Sequence, residues 1–264
     1  LVVSAERLAP QEDPEIGELI AQHLHHSAVR VLTGRSAQRV ERAPEGTRVV
    51  TLDDGRSVQG QALVVAMGRT PRVAGLGLER LGVQMVRHGI RIDPHCRAAA
   101  GIWAVGDVTG ADSYIHLAHY QARIAADDML GRSHPASYAS VPRVSFTEPL
   151  IAATGLTLAQ AREQGIDVAS LTVDLSKTPI HPGYQPIHTA ISHTEVGGRL
   201  TLHADRGRNV LIGAWAVTSE AGDWIQPAVF AIRTGTTLDV LYDMFEQYPA
   251  LSEVYLGAVE RLMP

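Results

Sequence analysis

Two short apolar runs, each ending in a glycine and a polar turn, constrain this chain more than any other feature. The first is LVVAMGRTP at residues 63–71, and the second is GIWAVGDVTG at residues 101–110. An apolar run of this length, bounded by glycine, is typical of a buried strand. Glycine at the end of such a strand lets a ligand approach the backbone closely, so both turns are candidate positions for a binding site.

Length and composition bound the classes of protein that this sequence can encode. The chain has 264 residues, of which 45% are hydrophobic and 19% charged, as is typical of one large or two ordinary globular domains. The formal net charge of −5 argues against a nucleic-acid-binding surface, and no apolar run is long enough to span a membrane. No signal peptide is visible and a single cysteine cannot form an intrachain disulfide, so we expect a cytoplasmic protein.

Neither the histidines nor the cysteine predict a metal or redox site. His23, His25 and His26 fall on one short segment, which we interpret as a solvated helix end. No HExxH or paired Cys/His pattern occurs, so no bound metal is predicted. Cys96 has no second cysteine to form a redox pair, and we expect a passive thiol.

Local patterns predict alternating strands and helices in the first half of the chain. Asp13 and Pro14 suit the N-cap and the first position of a helix. Its apolar stripe is Ile16, Leu19, Ile20 and Leu24. We further predict a strand over 29–33, a hairpin of 47–52 and 57–66 around Asp53-Asp54-Gly55, short strands over 90–93 and 101–105, and a helix over 115–130.

The second half begins after a polar stretch, residues 131–140, where we predict a domain boundary. Thr157 and Gln160 fit a capping box that opens a helix ending at Gly165. Pro227 is expected to cost a backbone hydrogen bond or produce a kink in a helix predicted over 221–233. Strands are predicted over 143–146, 168–175, 189–192, 199–203 and 211–217, and a final helix over 251–262.

The Gly106-Asp107 turn is the strongest candidate for a cofactor site. Gly106 permits close approach, and the Asp107 carboxylate can accept hydrogen bonds from the hydroxyls of a ribityl chain. The alternative is an ordinary Gly-Asp turn after a strand. Gly68, in the Gly-Arg-Thr-Pro turn, is expected to contribute shape near a cofactor rather than chemistry.

Two further sites have both a functional and a structural interpretation. Ser4, at the end of an apolar strand, and Arg7 lie where a nucleotide-binding fold would hold an adenosine ribose, and an arginine there favours the 2′-phosphate of NADPH. Tyr248 and Glu253 could form a proton-donating or substrate-positioning pair, although an unperturbed phenol has a pKa of about 10 and is a poor base at neutral pH. The alternatives are a plain surface turn for the first pair and a packed helix start for the second.

Taken in order, these segments resemble the class I pyridine nucleotide–disulfide oxidoreductases. The resemblance includes QEDPEIGE at residues 11–18, SFTEP at 145–149 and ATG at 153–155. It implies an α/β plus α+β fold, with a partial Rossmann-like NAD(P)/FAD-binding region followed by an α+β interface domain. The implied domains are the C-terminal part of the NAD(P)H-binding domain (1–66), the C-terminal part of the FAD-binding domain (67–139) and a dimerisation domain (140–264).

The resemblance also implies cofactors and site residues. Asp107 and Gly106 match the family's FAD-contacting turn, and Leu117 and Ala118 fall where its backbone runs beside the flavin. Glu253 matches the glutamate of the family's C-terminal His–Glu dyad, but Tyr248 takes the place of the histidine. The implied cofactors are FAD and NAD(P)H, with NADPH slightly favoured, and the implied assembly is a homodimer.

Without that histidine, dithiol–disulfide turnover is not expected to proceed in the family's usual way. We therefore expect part of an enzyme that passes a hydride from NAD(P)H through FAD to a quinone or disulfide-type acceptor. The family's upstream glycine loops and redox cysteines do not occur in these 264 residues, so we expect the segment alone to be inactive. The alternatives are a dihydrolipoamide dehydrogenase or mercuric reductase-like activity, or a non-catalytic dimerisation module.

Overall fold

The computed structural model describes residues 6–175, 177, 198–245 and 253–263. These residues form two compact units. One combines residues 1–64 with 142–264, and the other comprises residues 65–141.

Helix α1 (Pro14–His26) opens the first unit as predicted, with Pro14 in its first turn and Asp13 as the extended N-cap residue. Ile16 and Leu19 are buried on one side of the helix. The Asp13 carboxylate, however, does not cap this helix. It accepts a hydrogen bond from the backbone N–H of Leu158, at the start of a helix far along the chain.

An antiparallel three-stranded sheet follows, consisting of β1 (Ala37–Arg42), β2 (Arg48–Leu52) and β3 (Ser57–Gly60). The Asp53-Asp54-Gly55 turn joins β2 to β3, with Gly55 at a φ of +81°. This confirms the predicted hairpin, although β3 ends at Gly60 rather than at residue 66.

Two predicted strands are absent from the described structure. Residues 29–33 contribute only a single bridge at Leu32, and residues 62–73 have no regular structure. Val64 and Met67 are 87% and 79% exposed. A continuous apolar run becomes a strand only where neighbouring backbones provide ladder hydrogen bonds and both faces are covered, and the described residues supply neither here.

The second unit is built from short elements around one helix. Two small antiparallel ribbons, β4 (Met85–Val86) with β5 (Gly89–Ile90) and β6 (Arg97–Ala99) with β7 (Ile102–Trp103), precede a 3-10 turn (Gly106–Thr109) and helix α2 (Ile115–Met129). The helix confirms the prediction for residues 115–130. The strands predicted over 90–93 and 101–105 are only two residues long in the structure, because each pairs with only one short neighbouring strand.

A five-stranded antiparallel sheet dominates the rest of the first unit. Its strands are β8 (Arg143–Ser145), β9 (Leu150–Gly155), β10 (Val168–Asp174), β11 (Arg199–Asp205) and β12 (Val210–Thr218), in the order β10-β11-β12-β9-β8. Four of the predicted strands are thereby confirmed. The fifth, residues 189–192, lies outside the described residues.

Helices cover this sheet on both faces. They are α3 (Leu158–Glu163), α4 (Ala221–Trp224), α5 (Gln226–Thr234), α6 (Leu238–Tyr242) and α7 (Glu253–Leu262). Leu200 and Leu202 of β11 belong to the larger core, which includes residues of α4, α5 and α7. On the opposite face, Ile16 and Leu19 of α1 pack against Trp215 of β12 and residues of β9.

Two local predictions in this region are confirmed. Thr157 Oγ1 accepts a hydrogen bond from the Gln160 N–H, and Gln160 Oε1 accepts one from the Thr157 N–H, which completes the capping box. The helix predicted over 221–233 is divided into α4 and α5, with Pro227 in the first turn of α5. Proline is tolerated in a first turn because the N–H it lacks has no helical partner there. No helix among the described residues is long and apolar enough to cross a bilayer.

Candidate functional site

The Gly106-Asp107 turn lies just beyond β7, where the extended chain enters the 3-10 turn. Gly106 is buried and has a φ of +78°, a left-handed conformation that favours glycine. A side-chain carbon at this position would come within 3.2 Å of Cβ of Ala118 in α2. Glycine is therefore favoured by the left-handed backbone conformation, and the close approach of the helix adds to this preference.

The carboxylate that follows is accessible. The Asp107 side chain is 48% exposed, and its Oδ2 lies 3.4 Å from Nη1 of Arg69, which is 73% exposed. So exposed a pair contributes little to stability. The pair matters because it places a cation and a carboxylate side by side. The Gly-Arg-Thr-Pro turn therefore contributes a charged group next to Asp107 in addition to shape.

An open cleft of about 470 Å³ lies in front of this pair, within the 65–141 unit. Its lining includes Arg69, Arg72, His88, Asp107 and Ser113. The guanidinium groups can donate hydrogen bonds to phosphate, and the carboxylate can accept them from hydroxyls. The cleft thus combines the groups that would bind a phosphorylated polyol.

A buried amide behind the turn was not foreseen from the sequence. Gln121 of α2 is 0% exposed, and its Oε1 accepts a hydrogen bond from the Gly106 N–H at 2.6 Å. Its Nε2 lies 3.4 Å from Thr109 Oγ1 and 3.3 Å from the Tyr138 hydroxyl. The sequence contains one indication of this role: Gln121 is a polar residue four positions after Leu117, on the apolar stripe of α2. A buried amide needs hydrogen-bond partners, so a polar residue at such a position suggests a hydrogen-bonded network.

Tyr138 and Cys96 extend this network without forming a reactive centre. Burial raises the pKa of the Cys96 thiol, which also contacts the Tyr138 hydroxyl. Burial likewise raises the pKa of the Tyr138 phenol. A fully buried thiol with a raised pKa is a poor nucleophile, as expected for a passive cysteine.

The first turn of α2 adjoins the candidate turn, but Leu117 and Ala118 have different environments. The Leu117 side chain is 2% exposed and packs inward, and the Ala118 N–H is bonded to the Tyr114 carbonyl. Ile115, one position into the helix, is 78% exposed. The predicted role of Leu117 and Ala118 beside a flavin stays a prediction.

The remaining predicted site residues lie apart from this turn or outside the described residues. Ser4 and Tyr248 fall outside, and Glu253 begins α7 with its side chain undescribed. Arg7 is described: Nη1 donates to the Ala9 carbonyl at 2.7 Å, and Nη2 donates to the carbonyls of Pro10 and Glu12. Both terminal nitrogens of Arg7 are thus engaged with the backbone, and its role in selecting NADPH stays a prediction.

A second polar cluster in the same unit is structural. The Asp128 carboxylate, 0% exposed, receives two hydrogen bonds from Arg97, at 2.5 and 2.7 Å, and one from Trp103 Nε1 at 2.8 Å. It borders a hollow of about 640 Å³. Although this hollow is larger than the cleft at Asp107, Arg97 and Asp128 are paired with each other, which makes it the weaker candidate for a site.

The Asp128 cluster predicts an acid-sensitive unit. Hydrogen bonds from Arg97 and Ser133 hold the pKa of the Asp128 carboxyl well below its usual range. A carboxylate with a lowered folded-state pKa stabilises the fold above its unfolded pKa of about 4, and this stabilisation is lost as the pH falls further. We expect Asp128→Asn to flatten the decline in stability below pH 4, as measured by urea unfolding across pH. Asp127→Asn, which removes a neighbouring carboxylate that is 32% exposed, is the control and should change the profile less; an unchanged profile in Asp128→Asn would contradict the prediction.

Comparison with known proteins matches almost the whole chain to one family. Residues 1–125 match the family model described as pyridine nucleotide-disulphide oxidoreductase, and residues 141–259 match the model of that family's dimerisation domain. The crystal structure of LpdA from Mycobacterium tuberculosis has a TM-score of 0.87 at 29% identity, covering 100% of this chain and 56% of that chain. These matches confirm the predicted α/β plus α+β fold.

The curated relatives that match this chain carry names of enzymes, and two of them illustrate the range. Mercuric reductase of Streptomyces lividans is 34% identical over 94% of this chain and 51% of its own length. NAD(P)H dehydrogenase (quinone) of Mycobacterium tuberculosis is 30% identical over 100% of this chain and 52% of its own length. The chain therefore spans about half the length of the curated relatives that it matches.

Proposed function

Because the chain belongs to the pyridine nucleotide-disulphide oxidoreductase family, we propose that it is part of an FAD-dependent NAD(P)H oxidoreductase that reduces a quinone or disulfide-type acceptor. The observation that carries this proposal is the Gly106-Asp107 turn, which presents an exposed carboxylate beside Arg69 at an open cleft. The flavin would supply the two-electron chemistry between nicotinamide and acceptor. The residues of this chain would bind and orient it.

The groups at the cleft fit the polar part of such a cofactor. Asp107 can accept hydrogen bonds from ribityl hydroxyls, since its carboxylate is half exposed. Arg69 and Arg72 offer donors to phosphate oxygens. Gly106 lets the cofactor approach the backbone at the end of the extended chain.

A quinone is the acceptor that we favour. By its resemblance to the family, Tyr248 takes the place of the histidine of disulfide-reducing members, and an unperturbed phenol, with a pKa of about 10, is a poor proton acceptor near neutral pH. One relative, 30% identical, is named as a quinone dehydrogenase. Strong lipoamide or mercuric-ion reduction by the intact protein would favour the alternative activities instead.

We also propose a nucleotide specificity, an oligomeric state and a location. Ser4 and Arg7 favour NADPH over NADH, the match to the family's dimerisation domain favours a homodimer, and we expect the protein to be cytoplasmic. We also propose that the 264 residues alone are inactive. A non-catalytic dimerisation module is the alternative, and flavin content of the intact protein distinguishes the two.

Replacing Asp107 tests the cofactor site. In the intact protein, Asp107→Asn is expected to weaken flavin binding about tenfold, because a hydrogen bond to a charged acceptor contributes about 1.5–3 kcal/mol and the amide retains part of it. Asp107→Ala should weaken binding more. Flavin content and dissociation constant are measured by flavin absorbance and fluorescence.

Asp112→Asn, which removes an exposed carboxylate of the same loop, is the matched control and should leave flavin binding unchanged. If both Asp107 variants retain flavin as tightly as the parent does, the assignment of this turn is wrong.

A further inference from the structure

We propose that Gln121 is the positioning residue for the cofactor turn: its buried amide sets the orientation of Gly106 and thereby the direction in which Asp107 presents its carboxylate. This inference rests on the proposed function, because it assumes that Asp107 contacts the cofactor. Gln121 does not itself reach the cleft, since its side chain is fully buried. It acts through the backbone.

The first step of the argument is that both polar groups of the Gly106 backbone are held by side chains. Gln121 Oε1 accepts from the Gly106 N–H at 2.6 Å, and Thr109 Oγ1 donates to the Gly106 carbonyl at 2.8 Å. Gly106 has no side chain of its own to restrict its backbone, and its φ is +78°. The hydrogen bond from Gly106 N–H holds the peptide that precedes Gly106, and the hydrogen bond to its carbonyl holds the peptide that leads to Asp107.

The second step is that the two holding side chains are joined to each other. Gln121 Nε2 donates to Thr109 Oγ1 at 3.4 Å, which closes a ring of hydrogen bonds through Gly106. The same nitrogen lies 3.3 Å from the Tyr138 hydroxyl, so the ring is tied to the segment after α2. One residue must accept from a backbone N–H and donate to a hydroxyl at once, which an amide can do and a carboxylate cannot.

The third step is that no neighbouring group can easily replace the amide. Gln121 lies on the buried side of α2, together with Leu117 and Ile124, which are 2% and 1% exposed. A substituted apolar side chain would leave the Gly106 N–H unsatisfied in a buried position. The turn would then relax towards another orientation, and Asp107 would move with it.

Two variants of Gln121 in the intact protein test the role. Gln121→Met keeps the volume but loses every hydrogen bond, and we expect a flavin dissociation constant raised about tenfold. Gln121→Glu keeps the acceptor for Gly106 but, when ionised, cannot donate to Thr109. It should bind flavin about tenfold more weakly at pH 8 and recover towards the parent at pH 5.5, where the carboxyl is protonated, because burial favours its neutral form.

The pH readout compares the neutral and ionised forms of the Gln121→Glu side chain in an otherwise unchanged network. The titratable groups of the network are the Tyr138 phenol, bonded to Gln121, and the Cys96 thiol, which contacts that phenol. Burial raises the pKa of both, so that they stay neutral from pH 5.5 to 8. A side chain that only filled space would give no loss in Gln121→Met, because that variant keeps the volume and introduces no charge.

Gln160 provides a matched control in the other unit. Its Oε1 accepts a hydrogen bond from a backbone N–H, that of Thr157, at 3.0 Å. Gln160→Met removes the same type of hydrogen bond and is expected to leave the flavin dissociation constant unchanged.

The Asp107 variants separate the two possible failures. If Asp107→Ala loses flavin while Gln121→Met binds it as the parent does, the positioning role of Gln121 is overturned and the proposed site stands. If neither variant changes flavin binding, the proposed site itself is wrong. The inference is supported if Asp107→Ala and Gln121→Met both lose flavin, and if Gln121→Glu is the variant that recovers flavin binding at acidic pH.

Discussion

Replacing His203 by alanine is expected to lower the free energy of unfolding of the unit formed by residues 1–64 and 142–264 by about 3–5 kcal/mol. His203 Nε2 lies 2.9 Å from Asp13 Oδ2, and the two side chains are 2% and 4% exposed. Its Nδ1 lies 2.9 Å from Ser170 Oγ, so both ring nitrogens are bonded. Truncation would leave the Asp13 carboxylate buried with only the Leu158 N–H as a described partner.

Urea unfolding of the intact protein, followed by circular dichroism, measures this loss. Arg206→Ala is the control, because its ion pair with Asp167 is 61% and 73% exposed and should contribute about 0–1 kcal/mol. In a double-mutant cycle, Asp13→Ala and His203→Ala should be strongly non-additive. Additive losses, or a loss in His203→Ala no larger than that in Arg206→Ala, would show that the pair does not hold the unit together.

The pair matters because it joins two segments that match different family models. Asp13 precedes α1, within residues 1–125, whereas His203 lies on β11, within residues 141–259. Glu12 reinforces the junction, since both its carboxylate oxygens bind Arg143 at 2.8 Å. The QEDPE motif of the sequence is therefore a docking element in this structure.

Replacing Trp215 by alanine is expected to cost about 3–5 kcal/mol in the same unit. Trp215, 3% exposed, lies on β12 and packs against Ile16 and Leu19 of α1. Removing the indole would leave a cavity between helix and sheet, and the loss includes both the apolar burial and the unfilled volume. Circular dichroism is the suitable probe, because the variant also loses a fluorophore.

Val40→Ala serves as the control for this substitution, because Val40 is 50% exposed on β1 of the same unit. Its loss should be about 0.5 kcal/mol or less. Trp215→Phe, which keeps an aromatic ring in the cluster, should lose less than Trp215→Ala. Equal losses in Trp215→Ala and Val40→Ala would mean that α1 does not depend on this contact.

Features encoded over a few residues were predictable from the sequence. The hairpin around Gly55, the capping box at Thr157 and the helix irregularity near Pro227 each depend on the backbone preferences of a few neighbouring residues. The helical spacing of the apolar residues in α2 likewise predicted that helix. The Gly106-Asp107 turn could be singled out because glycine and a polar turn end an apolar run.

Features that depend on contacts between distant residues were not predictable. Asp13 was expected to cap its own helix, but it bonds to His203, 190 positions along the chain. The role of Gln121 is not evident from the sequence, because it depends on the packing of α2 behind Gly106. The apolar run at residues 63–67 was predicted as a strand, and the described structure leaves it irregular and exposed.

The sequence by itself thus determined the family, the positions of most helices and strands in the second half, and the candidate cofactor turn. These follow from short-range backbone preferences and motif spacing. Only the tertiary structure decided which partners the polar side chains of Asp13, Arg69 and Gln121 take. The physical reason is that a hydrogen bond or ion pair depends on which groups folding brings within about 3 Å, and sequence separation says little about that distance.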